Sequence, residues 1–322
     1  MGEKPKIALY WCASCGGCEE AVVDLAEAIL DVVAAADIVF WPVALDFKRH
    51  DVEQMADASI LATFLNGAIR TSEQEEMARL LRQKSQYLIA FGSCAQTGGV
   101  PGLANFFSRQ SILQQVYLDA PTTENPNHIL PGAPNNDGRG QLSLPDFAED
   151  VRCLDQVVDV DYYIPGCPPL PKIITAAVSA LLNGQLPEKG SVLAPDQALC
   201  TECPRKDSKP DKIAIQQFRR PQEIMIDETQ CLLAQGLLCL GPATRAGCEA
   251  PCVKGNMPCT GCCGAPGRVR DQGAKALSAI ASLIDSQDEA EIDRVLATIP
   301  DPAGTFYRYS LPASLLHAKR SI

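Results

Sequence analysis

The first 190 residues alternate short apolar runs with amphipathic stretches, which is the pattern of strands alternating with helices. Strands are predicted at residues 6–11, 37–46, 58–63, 87–93 and 157–164. Helices are predicted at residues 19–34, 72–84 and 171–182. Ser72 followed by Glu75 predicts a capping box at the start of the second helix. This alternation predicts a parallel, doubly wound α/β sheet.

The periodicity stops after about residue 190. Residues 191–270 form short segments bounded by Pro and Gly, which cannot bury an ordinary core, so we expect metal to organise them. Helical patterns return at 274–284 and 289–297, and the apolar tail at 306–316 is expected to pack on a partner or on its own domain. Residues 101–150 are rich in Pro, Asn and Gly near 125–140 and predict a surface excursion.

Composition narrows the classes of partner. The chain has 322 residues and a formal net charge of −11, which argues against nucleic acid because phosphates select basic surfaces. No run of about 18 apolar residues predicts a membrane span, and no apolar leader opens the sequence, so we expect a cytoplasmic location. Fifteen cysteines beside three histidines in a reducing compartment indicate metal or redox chemistry rather than disulfides.

Four cysteines follow predicted strands: Cys15, Cys18, Cys94 and Cys167. The carboxyl ends of parallel strands meet at one edge of a sheet, so these thiols are expected to converge. Four thiolates are the ligand set of a cubane iron–sulfur cluster. Scattered buried cysteines and a structural zinc site are the alternatives, although tetrathiolate zinc usually uses two compact CxxC knuckles rather than four strand-end loops.

Eight further cysteines crowd the region after residue 199, in the segments CTEC, CLLAQGLLC, CEAPC and CTGCC. They suffice for two more tetrathiolate sites, but their spacing does not determine which four belong together. Sequential assignment is the simplest grouping.

Several separated motifs, in order, resemble those of one protein family. CASCGGCEE, FGSCA, YYIPGCPP, CLGPATRAGC and NMPCTGCCG resemble the small, electron-transferring subunit of [NiFe] hydrogenases. The resemblance covers nearly the whole chain. It is greatest to the cytoplasmic, methyl-viologen-reducing type, which is associated with heterodisulfide reductase or with electron-bifurcating partners.

The resemblance implies three [4Fe–4S] clusters and a ligand set for each. The proximal cluster maps to Cys15, Cys18, Cys94 and Cys167. The medial cluster maps to Cys248, Cys252, Cys259 and Cys262. The distal cluster maps to Cys200, Cys203, Cys231 and Cys239. Cys200 stands where the family often has histidine, and Cys252 stands where many members have proline and a three-iron cluster.

The fold and function implied are those of an electron relay. A flavodoxin-like domain over residues 1–190 would hold the proximal cluster, and a smaller irregular domain over 191–322 would hold the other two. Hydrogen would be oxidised at a NiFe(CN)2CO site in a separate large subunit. Electrons would then pass through the proximal, medial and distal clusters to iron–sulfur or flavin subunits of a cytoplasmic acceptor.

Three alternatives remain open: a complex I-like or membrane-bound hydrogenase subunit, a deazaflavin-reducing hydrogenase subunit, and a zinc-stabilised assembly module. Cys12, Cys153 and Cys263 are left without a cluster and are interpreted as spare or buried thiols, although Cys263 beside Cys262 could exchange ligand roles with it. Glu20 is a candidate for proton movement near the proximal cluster, with a solvated acid at the helix start as the simpler interpretation. His128 and His317 lie outside every motif.

Overall fold

The N-terminal part of the chain is built on a parallel sheet. The computed structural model describes residues 3–132, 135–136 and 140–316. Its strands are β1 (Lys6–Trp11), β2 (Asp37–Phe40), β3 (Ile60–Asn66), β4 (Ile69–Thr71), β5 (Ser85–Phe91), β6 (Asn135–Asn136), β7 (Gln141–Leu142), β8 (Phe147–Arg152) and β9 (Tyr162–Ile164). Five of them form the main sheet in the order β2-β1-β3-β5-β9, with every pairing parallel. This is the flavodoxin-like order, so the predicted fold class is confirmed.

Helices cover both faces of this sheet. The α-helices of the described residues, along the whole chain, are α1 (Gly17–Val23), α2 (Ala28–Ala35), α3 (Arg49–Glu53), α4 (Ser72–Lys84), α5 (Ser93–Thr97), α6 (Arg109–Gln114), α7 (Pro171–Leu182), α8 (Pro251–Lys254), α9 (Gln272–Ala281), α10 (Glu289–Leu296) and α11 (Pro302–Phe306). One apolar layer joins alternate residues of β1, β3 and β5 to α1, α2 and α7. The other layer joins the opposite residues of the same strands to α3 and α4. Burial on both faces explains why these strands read as nearly continuous apolar runs.

Several predicted boundaries were wrong. The helix expected over 19–34 is divided into α1 and α2, because Ala26 adopts a left-handed conformation with φ 49° between them. The capping box belongs to Thr71 and Gln74 rather than to Ser72 and Glu75: the Thr71 hydroxyl accepts from the Gln74 N–H, and the Gln74 side chain accepts from the Thr71 N–H. The predicted strand 37–46 ends at Phe40, and only Tyr162–Ile164 of the strand 157–164 is extended.

The segment 101–150 is more than a surface excursion. Its end is the first part of β8, which pairs antiparallel with β4. The Asn105 side chain also holds this strand, donating to the Val151 carbonyl and accepting from the Val151 N–H at 2.9 and 2.7 Å. The excursion is therefore tied to the sheet domain at both ends.

The C-terminal part has two apolar clusters of its own. One packs α9 and α10 against residues 213–240 and the tail, and the other surrounds the cysteine-rich segments. The tail packs on the same chain: the Tyr309 carbonyl accepts from the Gly99 N–H and the Thr97 hydroxyl, and Pro312 lies against Gly98 and Gly102. The tail thus connects the C-terminal part to the sheet. The predicted domain boundary at residue 190 stays a prediction.

Candidate metal centres

The structure brings the four strand-end thiols together at the carboxyl edge of the sheet. Cys15 and Cys18 lie on the turn from β1 into α1, Cys94 lies in α5 directly after β5, and Cys167 follows β9. The Cys18 thiol interacts electrostatically with each of the other three. We expected this convergence because parallel strands end at the same edge.

Two glycines make this convergence possible. A Cβ atom at Gly92 would collide with the Cys18 sulfur, and one at Gly99 would collide with the Cys94 sulfur. Both glycines have positive φ, 85° and 57°, a conformation that other residues rarely adopt. The backbone therefore approaches the sulfurs as closely as a cluster-binding loop requires.

Burial determines the protonation of these thiols in the absence of a cation. It raises the pKa of Cys94 to about 12 and that of Cys167 to about 11, and raises the pKa of Cys18 further. Only a bound cation would stabilise four thiolates in such a place, since metal binding displaces thiol protons. The donor set and the glycine cradle fit an iron–sulfur cluster.

The predicted distal thiols share one cavity. Its cysteines are Cys200, Cys203, Cys231 and Cys239. Apolar side chains, among them Leu199, Leu232 and Val253, form most of the remaining wall. Burial is the largest cause of the raised pKa of Cys200, to about 11. An apolar cavity with four converging thiols again suits a cluster, because it excludes water from the thiolates.

The predicted medial thiols also lie near one another. Cys262 interacts electrostatically with Cys248, Cys252 and Cys259. Cys248 and Cys259 are buried, while Cys252, on α8, is exposed. A fifth sulfur, that of the buried Cys263, lies 4.0 Å from the Cys262 sulfur.

The three sets of thiols are in contact in series. The Cys262 thiol interacts electrostatically with the Cys167 thiol, so the proximal set lies beside the medial set. The Cys259 N–H donates to the Cys239 sulfur at 3.4 Å, which joins the medial set to the distal set. The Ser93 hydroxyl also donates to the Cys262 carbonyl, and so fixes the first of these two junctions.

No three His, Cys, Asp or Glu side chains within the described ranges lie close enough to hold a single metal ion. A cubane differs from a single ion because its four thiolates bind four separate iron atoms. The sulfurs of a cubane site therefore lie farther apart than those around one zinc ion.

Sequence reasoning missed a buried carboxyl beside the proximal set. Glu19 is 5% exposed and accepts hydrogen bonds from the Trp41 indole N–H and from the Asn66 amide, the latter at 2.6 Å. Asn66 in turn accepts from the Ser14 hydroxyl at 3.1 Å, so the network reaches the first cysteine loop. Burial is the largest cause of the raised pKa of Glu19.

Glu20 is exposed, and its role in proton movement stays a prediction. The positions of the apolar residues in α1 indicate which face of the helix is buried, and this signal could have distinguished the buried Glu19 from the exposed Glu20.

The other singled-out residues lie in ordinary surroundings. Cys12 packs in the apolar layer against α4, and Cys153 is 1% exposed. His128 lies on an exposed loop. His317 lies outside the described residues.

Comparisons with known proteins identify the family to which the chain belongs. Residues 15–181 match the family described as NADH ubiquinone oxidoreductase, 20 Kd subunit. The iron–sulfur subunit of an F420-non-reducing hydrogenase from Archaeoglobus profundus is 38% identical, over 98% of this chain and 98% of the relative. A subunit of the F420-non-reducing hydrogenase from Methanothermobacter thermautotrophicus is 36% identical, over 99% of this chain and 98% of the relative. The chain belongs to the small-subunit family of [NiFe] hydrogenases.

The fold of this hydrogenase subunit agrees with a solved structure. The [NiFeSe] hydrogenase of Desulfovibrio vulgaris Hildenborough matches with a TM-score of 0.52 at 18% identity, over 81% of this chain and 94% of the solved chain. The predicted resemblance is confirmed. The match to the 20 Kd family ends at residue 181, before the eight C-terminal cysteines. In the part of the chain that the structure describes, none of the helices has the length and apolar character needed to cross a bilayer.

Proposed function

We propose that this hydrogenase small subunit holds three [4Fe–4S] clusters, with the proximal, medial and distal ligand sets predicted above. When bound, the clusters would carry single electrons from a NiFe site in a large subunit to a separate acceptor. The polypeptide supplies the thiolates, excludes water and fixes the spacing.

The observation that carries this proposal is the series of contacts between the three sets. The Cys262 thiol lies close enough to the Cys167 thiol to interact with it electrostatically, and the Cys239 sulfur accepts a hydrogen bond from the Cys259 N–H. Each set thus touches the next through a ligand residue. A chain that needed metal only for stability would have no reason to connect three tetrathiolate sites end to end.

The proximal set has the exposure that a partner subunit requires. Cys15 is exposed, and the neighbouring Trp11 ring, 38% exposed, lies over Gly16. An exposed Trp beside an exposed ligand fits an interface with the large subunit, because aromatic residues are enriched in interface centres. We place the large subunit on this edge.

The acceptor is proposed from the relatives and the ligand types. The relatives are described as subunits of F420-non-reducing hydrogenases, which supports an acceptor other than a deazaflavin. We propose a cytoplasmic iron–sulfur or flavin module of the heterodisulfide reductase or bifurcating type, docked near the distal set.

Metal analysis of the anaerobically purified complex with the large subunit tests the cluster content. About twelve irons and as much sulfide are expected in this chain. Cys203→Ser should lower the iron content, whereas Cys153→Ser, a change at a buried thiol outside the three sets, should not. A colourless chain that holds only zinc would overturn the proposal.

The acceptor class is tested under hydrogen with the same complex. We expect reduction of methyl viologen and no reduction of F420. We also expect a flavin- or iron–sulfur-containing module to co-purify from native cells. Reduction of F420, or recovery of the chain in a membrane-bound assembly, would contradict the proposed acceptor while leaving the cluster assignment intact.

A further inference from the structure

One buried cation lies between the cysteine-rich segments of the C-terminal part. Arg205 is 6% exposed and follows the predicted distal ligand Cys203 by two residues. The Nη1 atom of its guanidinium donates to the carbonyls of Asp227 and Gln230, at 3.1 and 3.3 Å. Gln230 directly precedes another predicted distal ligand, Cys231. This half of the guanidinium therefore holds two distal segments against each other.

The other half of the guanidinium reaches the medial loop. Its Nη2 atom donates to the side-chain oxygen of Asn256 at 2.7 Å and to the Val253 carbonyl at 3.4 Å. Both acceptors lie on the segment between the predicted medial ligands Cys252 and Cys259. One side chain thus ties together three ligand-bearing segments, two distal and one medial. A guanidinium can do this because its planar fork directs several hydrogen bonds at once.

The charge of Arg205 has no ion-pair partner within the described part of the chain. The four acceptors are all neutral, three backbone carbonyls and one amide oxygen. The exposed Asp227 carboxylate accepts instead from the N–H and the hydroxyl of Thr229. By contrast, the buried Arg245 pairs with Asp196 at 2.9 Å. Since a buried charge is costly without an opposite charge, a negatively charged group is expected beside Arg205.

We propose that Arg205 is a positioning residue that sets the distal segments against the medial loop, and that its positive charge raises the reduction potentials of the distal and medial clusters. A cluster gains one negative charge when it is reduced, and a fixed cation nearby stabilises the more negative form. The inference rests on the proposed function, because it requires a cluster at each of these two sets.

The test is an EPR-monitored redox titration of the complex with its large subunit, with iron analysis of each variant. Arg205→Gln removes the charge, so two of the three midpoints, the distal and the medial, should shift to more negative values. The proximal midpoint should stay where it is. Arg205→Lys keeps the charge but loses the fork. It should restore most of the shift, while its free energy of unfolding stays below that of the wild type.

Arg82→Gln is the matched control. The Arg82 guanidinium also donates to backbone carbonyls, those of Ser85 and Gln86. These residues begin β5, at the opposite end of that strand from Cys94. The control should therefore lower the free energy of unfolding and leave all three midpoints unchanged.

Three results would overturn the inference. If the midpoints of Arg205→Gln equal those of the wild type, the charge does not tune the clusters. If Arg205→Lys shifts them as far as Arg205→Gln does, the charge is not the cause. If neither variant retains the distal and medial irons, Arg205 acts on folding alone. A wild type without these clusters would instead refute the proposed function itself.

Discussion

Gly92 links β5 to the helix that carries Cys94, and its replacement by alanine would test the proximal site directly. The residue has φ 85° and ψ 165°, a region that is accessible almost only to glycine. An added Cβ would also collide with the Cys18 sulfur. A cysteine side chain is short, so the sulfur can avoid the methyl group only by rotating about the Cα–Cβ bond, and we expect that rotation to take it out of the set of four thiols.

The cost of Gly92→Ala has two parts. A side chain in this backbone region costs about 1–3 kcal/mol, and overpacking of a filled interior costs a further 1–3 kcal/mol or so. We therefore expect a loss of roughly 2–6 kcal/mol in the free energy of unfolding. If Cys18 leaves the site, the iron content should fall by about four per chain.

Gly184→Ala is the matched control. Gly184 also has a positive φ, 66°, but a Cβ there would meet nothing within 4 Å. It should cost about 1 kcal/mol and leave the iron content unchanged. Urea unfolding and iron analysis of both variants make the comparison. If Gly92→Ala matches the control in stability and keeps the wild-type iron, the argument for a sulfur-packed glycine is wrong.

Three further predictions concern hydrogen bonds of buried or partly buried side chains. Burial opposes ionisation of Asp161, but hydrogen bonds from Lys189, the Leu88 N–H and Arg82 lower the pKa of its carboxyl. Asp161→Ala should cost about 1.5–3 kcal/mol near neutral pH, the range for a hydrogen bond to a charged group. The stability that Asp161 contributes in the wild type should be lost as pH falls below about 4, measured by urea unfolding against pH. Burial raises the pKa of the Glu19 carboxyl, so its contribution to the free energy of unfolding falls as pH rises. In Glu19→Gln, the free energy of unfolding should differ less between about pH 5 and 8 than it does in the wild type. An equal difference in the two proteins would contradict this. Tyr309→Phe removes one hydrogen bond, at 3.1 Å, to the hydroxyl of Thr260 in the medial loop; we expect a loss of about 1 kcal/mol with full iron retained, measured by thermal unfolding and iron analysis.

Local patterns of the sequence were sufficient for the sheet domain. The apolar runs of β1, β3 and β5 are buried on both faces, so each run identified a strand without knowledge of its neighbours. The ends of helices and strands were less predictable, because each end depends on the backbone conformation of one residue. The left-handed Ala26, which ends the continuity of α1 and α2, carries no signal in residue type.

Long-range pairings were beyond the sequence. β8 lies about 80 residues from its partner β4 along the chain, and its place depends on the Asn105 side chain and the turn chemistry between them. The same holds for the tail, whose contact with Gly99 and Thr97 could equally have been made with a partner subunit.

The sequence by itself determined that thiols gather at one edge of the sheet, because strands that run parallel must end together. It also supplied the family motifs and the twelve candidate ligands. Only the tertiary structure decided how the sets meet: Cys167 with Cys262, and Cys259 with Cys239. The physical reason is that periodicity records which face of an element is buried. The contacts between elements distant in sequence depend on how whole layers pack.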